Sequence, residues 1–355
     1  MSSSTGGLRA PAPLLARQAE RGTAAPSAPP GGRRRLRGPA IQAVAVLVLA
    51  TLPFLMSSYQ VSTMTRILAF ALLAVSVDLL TGVTGLPTLG QAAYFGVGAY
   101  AAALTALHWT ANAPAQLLVA VGAGLLAAAA TGWVAVRTRG IVFLMLTLAI
   151  GELVHQVADG WSFVGGSNGL TGIASPRLLP GGAPITLAGV VYWYVLAVFV
   201  LAYLGVRAVV ASPFGRTLRG IRDNEPRMRA IGYRPAVAKF AVYCLAGAVA
   251  GAAGSLWITQ TRFVSPGDLA FEVAALALLS VVIGGAGSLW GPCLGAGVVL
   301  LTRDYLSTYV GGRGSLLLGL VFIAVVYVLP RGLAGLGQRL AVGRRPGGEP
   351  RGVRP

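Results

Sequence analysis

The chain has 355 residues, of which 55% are hydrophobic and 11% are charged, and its mean hydropathy is +0.73. This composition excludes an ordinary soluble protein and indicates an integral membrane protein, because several windows reach the roughly 20 apolar residues of a spanning helix. The net charge of +18 does not indicate nucleic-acid binding, since 23 of the 28 basic residues lie in four blocks outside the apolar segments: 1–39, 137–139, 207–239 and 331–355. Such blocks are typical of cytoplasmic loops and tails.

The two ends of the chain differ in composition from its centre. Residues 1–39 are rich in Ser, Pro, Gly and Arg and show no periodicity, which predicts a disordered basic tail in the cytoplasm. Arg33-Arg34-Arg35 precede an apolar run without a small-residue cleavage pattern, so we predict an uncleaved first helix rather than an export signal. Residues 40–330 form the predicted transmembrane domain, and residues 331–355 form a second basic cytoplasmic tail.

Apolar segments in the centre predict ten spans with both termini in the cytoplasm. The predicted spans are 40–56, 61–80, 91–108, 115–136, 140–158, 188–210, 237–259, 270–286, 291–303 and 314–330. This topology places 137–139, 207–236 and 331–355 in the cytoplasm, in agreement with the basic blocks. Small residues four apart, such as Gly247 and Gly251, predict closely packed helices. The expected fold is an all-α, polytopic membrane helix bundle of about ten transmembrane helices.

A long polar loop, Gly160 to Leu187, separates the fifth and sixth predicted spans and faces outside in this topology. It contains the turn-rich sequence Gly165–Gly169 and several prolines. A loop of this length in a compact membrane protein favours a function. We expect contact with an external partner or a gate, and the alternative is a plain lid over the bundle.

The basic stretch 206–239 is expected to be a structured cytoplasmic loop. Ser212-Pro213 is typical of the N-cap and the first position of a helix. A helix is predicted over residues 217–231, and Gly232 is a suitable C-cap for it. Pro226 is predicted to break or kink this helix. A short charged helix of this kind is typical of a docking element. The alternative is a solvated loop that only marks the cytoplasmic side.

The sequence has no motif for nucleotide binding or covalent catalysis. It lacks G-x-x-x-x-G-K-[ST], because its only lysine, Lys239, is followed by Phe240, so any ATP must be handled by another subunit. No Ser/His/Asp or Cys/His nucleophile set is evident, and an enzyme with catalytic residues, a metal or a cofactor is not expected. Cys244 and Cys293 lie in apolar segments, where a disulfide framework is not expected.

Few ionisable residues lie in the predicted spans. Glu152-x-x-His155 is half of a di-iron helix signature, but a second such pair is missing. With Asp159 it shares one helical face near the outer end of the fifth span, which favours anchoring at the membrane interface, with a role in a transport path as the alternative. Asp78 and Glu272 lie near predicted span ends. This pattern argues against a proton- or sodium-driven transporter and for energy supplied from outside the chain.

Five motifs follow one another between about Ile67 and Pro330. They are G-Q-A-A-Y-F-G-V-G-A-Y at 90–100, F-L-M-L-T-L-A at 143–149, G-G-S-N-G-L-T-G at 165–172, S-P-F-G-R through R-D-N-E to A-I-G at 212–232, and F-V-S-P at 263–266 followed by V-V-I-G-G-A-G-S-L-W-G-P at 281–292. Their order and spacing resemble those of branched-chain amino acid ABC transporter permeases of the LivM-like type.

The resemblance implies a multi-pass permease subunit of an ATP-driven importer for branched-chain amino acids in a bacterial cell membrane. Its implied partners are a second permease subunit, two cytosolic ATP-binding subunits, an extracytoplasmic substrate-binding protein, the small-molecule substrate and membrane lipid, with no nucleic acid. The loop 211–236 is then the coupling element seated on an ATPase. The residues expected in coupling are Arg216, Arg219, Arg222, Glu225 and Gly232. Those expected in the translocation path are Gln91, Tyr94, Phe95, Asn168 and Glu272.

The chain departs from the family pattern at several positions. Pro87 and Thr88 stand where an apolar residue and Ser are usual, and Gln91 replaces the usual His. Ala274 and Leu276 occupy a region where the family commonly has a polar residue. Import of urea or a short-chain amide by the same architecture is therefore an alternative. From a different class, a stand-alone secondary transporter or channel is the other alternative, and it predicts charged residues in the middle of the spans.

Overall fold

The computed structural model describes residues 37–177, 185, 187–306, 314–328 and 332–335. The predictions for residues 1–36 and 336–355, and for part of the loop before Leu187, lie outside these residues. Within the described ranges the secondary structure is helical, and two isolated β-bridges join Asn112 to Arg177 and Leu170 to Val264. The all-α fold class is confirmed.

The helices follow the predicted spans to within three residues at each end. They are α1 (Arg37–Leu55), α2 (Ser58–Asp78), α3 (Gln91–His108), α4 (Ala113–Ala135), α5 (Gly140–Gly160), α6 (Ala188–Ala211), α7 (Pro213–Asp223), α8 (Glu225–Ala230), α9 (Pro235–Thr261), α10 (Phe271–Gly284), α11 (Trp290–Leu300) and α12 (Gly314–Val328). In the described part of the chain, five helices are long and apolar enough to cross a membrane: α2 with its continuation to Thr84, α4, α5, α6 and α9. The number of ten spans and the cytoplasmic position of both termini stay predictions.

The contacts between residues divide the chain after Val48. The described residues before this point, 37–48, belong to α1. In the second unit α2 is the most buried of the five long helices, because α6, α9, α10 and α11 all pack against it. The α9 helix packs against α3 and α4 along small residues. A Cβ added to Gly251 would collide with the carbonyl oxygen of Ala120, which confirms the predicted close packing.

The end of α2 differs from the prediction. The helix continues beyond Asp78 through a π-helical turn, Leu79–Thr84, and stops at Gly85, whose φ of +75° suits glycine. Asp78 is therefore fully buried rather than near the end of a span. The apolar residues on both sides of Asp78 let the helix run on, and backbone N–H groups from another part of the chain satisfy its carboxylate, as described below.

Candidate functional site

The basic loop between α6 and α9 folds into two short helices. Ser212 caps α7, and Pro213 occupies its first turn, as predicted. The helix breaks at Asn224, whose side chain caps α8 by accepting a hydrogen bond from the N–H of Arg227 at 3.0 Å. Pro226 lies in the first turn of α8, where its missing N–H leaves no bond unmade. The break is therefore confirmed, but it lies two residues before the proline because Asn224 is the better cap.

Glu225 is the centre of an ion-pair cluster. Its Oε1 accepts hydrogen bonds from Arg139 at 3.0 Å and Arg229 at 2.9 Å, and its Oε2 accepts one from Lys239 at 2.7 Å. Burial alone would raise the pKa of Glu225, but the bonds from Lys239 and Arg229 and the charge of Arg139 outweigh burial and lower it. This Glu225 cluster ties α8 to the start of α5 and the start of α9.

Two of the predicted coupling arginines bond to the backbone of this chain. Arg219 donates to the carbonyl oxygen of Val210 at 2.7 Å, and Arg222 donates to the carbonyl oxygen of Gly82. Arg216 is exposed, and Gly232 follows α8 with a φ of +91°, as expected of a residue that ends a helix.

The loop also exposes two large apolar side chains that the sequence reasoning missed. Ile231 is 63% exposed and Tyr233 is 49% exposed. Apolar residues in the middle of a charged loop were the available signal for them. Arg216 and Arg227 of the same loop are also exposed, and we call these four exposed residues the docking surface.

A group of hydrogen-bonded residues lies next to Arg222 at the end of α2. We call this group the Asp78 node. The carboxylate of Asp78 accepts hydrogen bonds from the N–H of Gly287 at 2.6 Å and of Leu289 at 3.1 Å, both in the turn between α10 and α11. Gly82, which accepts from Arg222, lies one turn after Asp78. The α7 helix, the end of α2 and the α10–α11 turn therefore meet in one hydrogen-bonded group.

At the other end of α9 lies a cavity of about 800 Å³, the outer cavity. Its apolar walls include Phe70, Phe95 and Trp257, and the rings of Phe95 and Trp257 meet edge to face with centroids 6.0 Å apart. Its charged lining residues are Arg66, Asp268, Glu272, Arg303 and Asp304. The outer cavity thus offers both signs of charge beside aromatic surface.

The charged groups of the outer cavity are loosely paired. Arg303 lies 3.6 Å from Glu272 and 3.7 Å from Asp304, and Arg66 lies 3.5 Å from Asp304. Partly exposed pairs at such distances contribute less than about 1 kcal/mol. Asp268 is held more firmly, by a 3.0 Å bond from the N–H of Ser265, although burial raises the pKa of this carboxyl. The arginines can therefore exchange carboxylate partners at little cost.

Gln91 lies one turn before Phe95 on the same face of α3. It is 1% exposed, and within the described residues neither atom of its amide has a hydrogen-bond partner. The preceding segment, 85–90, is not helical, and the N–H of Leu89 donates to the hydroxyl of Thr147 at 3.3 Å. Thr147 lies seven residues into α5, roughly 10 Å along its axis. Irregular backbone at such depth is tolerated where it is buried in protein or lines a cavity, and an unpaired buried amide there is suited to a polar ligand.

Residues 59–326 match the sequence profile of the family described as "Branched-chain amino acid transport system / permease component". The chain belongs to this family. The "High-affinity branched-chain amino acid transport system permease protein LivM" of Escherichia coli (strain K12) is 28% identical over 82% of this chain and 73% of its own length. The protein of the same name from Salmonella typhimurium has the same identity and coverage. The "Probable branched-chain amino acid transport permease protein LivH" of Methanocaldococcus jannaschii is 25% identical over 75% of this chain and 88% of its own length. No solved structure matches.

Family membership confirms the resemblance of the five motifs, and with the five long apolar helices it makes this permease a multi-pass membrane protein. Of its predicted path residues, Phe95 and Glu272 both line the outer cavity, with Gln91 close to Phe95. Tyr94 lies elsewhere, because its hydroxyl is 2.7 Å from that of Tyr243 and is held between helices. Asn168 is exposed in the loop after α5.

Several residues that line the outer cavity were not predicted from the sequence, notably Arg66, Arg303 and Trp257. Arg66 and Arg303 are among the few basic residues outside the four basic blocks, and that isolated position was the available signal. Trp257 gave no signal, since an aromatic residue in an apolar span usually packs against other helices.

Proposed function

We propose that this chain is the permease subunit of an ATP-driven importer for branched-chain amino acids in the inner membrane of a bacterium. The outer cavity carries this proposal, because a branched-chain amino acid is a zwitterion with an apolar side chain. Arg66 and Arg303 suit its carboxylate, Glu272 suits its ammonium group, and the aromatic walls suit its side chain. Urea is neutral and small, so charges of both signs beside aromatic surface favour the amino acid.

The proposed topology has ten spans with both termini in the cytoplasm. The start of α5, the end of α6 and the start of α9 meet at the basic loop, so we assign that side to the cytoplasm. The outer cavity is formed at the opposite end of α9, next to the start of α10 and the end of α11. It therefore opens toward the extracytoplasmic binding protein. From there the proposed path leads past Phe95 to Gln91.

Coupling to ATP is proposed to run through the docking surface. Two cytosolic ATP-binding subunits and a second permease complete the importer, and one ATP-binding subunit seats on Arg216, Arg227, Ile231 and Tyr233. Movement of α7 would pull on Gly82 through Arg222, and the Asp78 node would pass that movement to the α10–α11 turn. The Glu225 cluster supports this route, because it keeps α8 attached to α5 and α9.

Reconstitution tests the proposed function. Proteoliposomes with the four cytoplasmic and membrane subunits would be supplied with the binding protein and labelled leucine or urea, with or without enclosed ATP. We expect leucine uptake that needs both ATP and the binding protein. Uptake of urea without uptake of leucine would mean that urea is the substrate, and the proposed subunit composition of the importer would stand. Leucine uptake by this chain without ATP would contradict the coupling and favour a secondary transporter.

A further inference from the structure

The α5 helix exposes a polar stripe although it is apolar enough to cross a membrane. Glu152 and Gln156 are both exposed, and the amide of Gln156 donates to Glu152 Oε1 at 2.9 Å. His155 Nδ1 lies 3.6 Å from the same oxygen. Leu153 and Val157 flank these groups in a shallow groove of about 520 Å³. We call this surface the α5 face.

The α5 face lies at a depth where lipid is a poor neighbour for charge. Glu152 is twelve residues from the start of α5, roughly 18 Å along the axis, and eight residues from its end at Gly160. That position is inside a hydrocarbon core of roughly 30 Å. A carboxylate facing acyl chains there is costly, and such groups almost always face protein or water instead. Anchoring at the membrane interface, favoured by the sequence, would require a position nearer the helix end.

The exposed surfaces of α4 and α6 differ from the α5 face. The α4 helix has no charged residue, and α6 has a single one, Arg207, in its last turns near the cytoplasmic loop. Large aliphatic side chains such as Leu126 and Leu201 are exposed on them, as lipid contact requires. The α5 helix exposes aliphatic side chains as well, such as Met145, so the charged and amide groups of the α5 face are what distinguish it from α4 and α6 and favour a protein neighbour.

We infer that the α5 face docks the companion permease subunit of the importer, which places arginine, lysine or amide donors against Glu152. The inference rests on the proposed function, because that function supplies the companion. Charge complementarity favours such donors, since the face is acidic, with Glu152 and Asp159, on a chain whose net charge is +18. Beyond the end of α5 the surface continues with the exposed rings of Trp161 and Phe163, which lie 5.9 Å apart. Aromatic residues of this kind are enriched in protein interfaces.

Photo-cross-linking in the complete complex tests the inference. A benzophenone amino acid would replace Leu153 on the α5 face or, as the matched control, Leu201 on α6, which are 64% and 70% exposed. Irradiation of membranes should join this chain to the companion permease at position 153 and not at position 201. A complex that co-purifies and takes up leucine, but gives no adduct at 153 or equal adducts at both positions, would overturn the interface while the proposed function stands. Failure of any companion permease to assemble with the chain would overturn both.

Charge substitution gives a second readout. Glu152→Lys should lower the companion permease that co-purifies with this chain by about tenfold or more, because like charges would meet at the interface. Glu152→Gln should keep most of the companion, because an amide can still pair with the donors. If the Glu152→Lys variant co-purifies with as much companion permease as the wild type does, the inference is overturned. If that variant does not insert, the cross-link at position 153 decides alone.

Discussion

Replacing Asp78 by asparagine should detach the α10–α11 turn from α2. The carboxylate accepts two backbone N–H bonds, from Gly287 at 2.6 Å and Leu289 at 3.1 Å. An asparagine side chain has one acceptor oxygen, so the variant keeps one bond and turns an N–H donor toward the other backbone N–H. Removal of the charged acceptor leaves one buried N–H without a partner, which costs about 1.5–3 kcal/mol. We therefore expect Asp78→Asn to destabilise the permease by roughly 1.5–3 kcal/mol.

The assay is the thermal unfolding of the detergent-solubilised permease, with ATP hydrolysis by the assembled complex as the second readout. A loss of this size should lower the Tm by roughly 3–8 °C. It should also weaken the stimulation of ATP hydrolysis by leucine, since the route from α7 to the α10–α11 turn is broken. Asp223→Asn is the matched control, because Asp223 is an exposed carboxylate on α7. Equal Tm values for both variants, within about one degree, would refute the reasoning.

The other predictions concern the path and the loop. Gln91→Leu should leave the Tm unchanged or raised, because it removes an unpaired buried amide, and should lower leucine uptake about tenfold. Tyr94→Phe keeps the ring and removes only the hydroxyl that meets Tyr243, so it should keep uptake. Loss of uptake with Tyr94→Phe and wild-type uptake with Gln91→Leu would contradict a path past Gln91. Glu272→Ala should raise the KM for leucine several-fold and leave kcat unchanged, because the Glu272 side chain is 70% exposed and in the proposed path meets leucine only as leucine enters the outer cavity. A fall in kcat with an unchanged KM would contradict that role. The lowered pKa of Glu225 means that its stabilisation of the loop is present above the ordinary Glu pKa of about 4.3 and is lost as pH falls through the lower folded value. Backbone amides of residues 225–239 should then be equally protected from hydrogen exchange at pH 8 and pH 6 and should lose protection only as the pH falls below the ordinary Glu pKa, whereas Glu225→Gln should remove this protection at every pH. A loss of protection between pH 8 and pH 6 would be inconsistent with the Glu225 cluster.

The long helices could be predicted from the sequence because each contains a local run of apolar residues. Ser212 and Pro213 likewise fixed the start of α7 through local chemistry. The extent of α2 could not be predicted in this way. Its continuation past Asp78 depends on N–H donors from Gly287 and Leu289, which are more than 200 residues away in the sequence.

The candidate site could be predicted only in part for the same reason. Phe95 and Glu272 were found through the family resemblance, and they meet only because α3 and α10 both reach the outer cavity. Arg222 was expected to face an ATPase, and its bond to Gly82 joins positions 140 residues apart. No local pattern in the sequence indicates a bond between two positions so far apart.

The most direct test of the substrate route is protection of the outer cavity by leucine. Val273→Cys places a thiol in the cavity, Ser167→Cys places one on the exposed loop after α5, and Cys244 and Cys293 would be replaced by alanine in both variants. In the reconstituted importer, leucine should slow maleimide labelling at position 273 and leave labelling at position 167 unchanged, and urea should slow neither. Unchanged labelling at position 273 in an importer that is taking up leucine would contradict the outer cavity as the route.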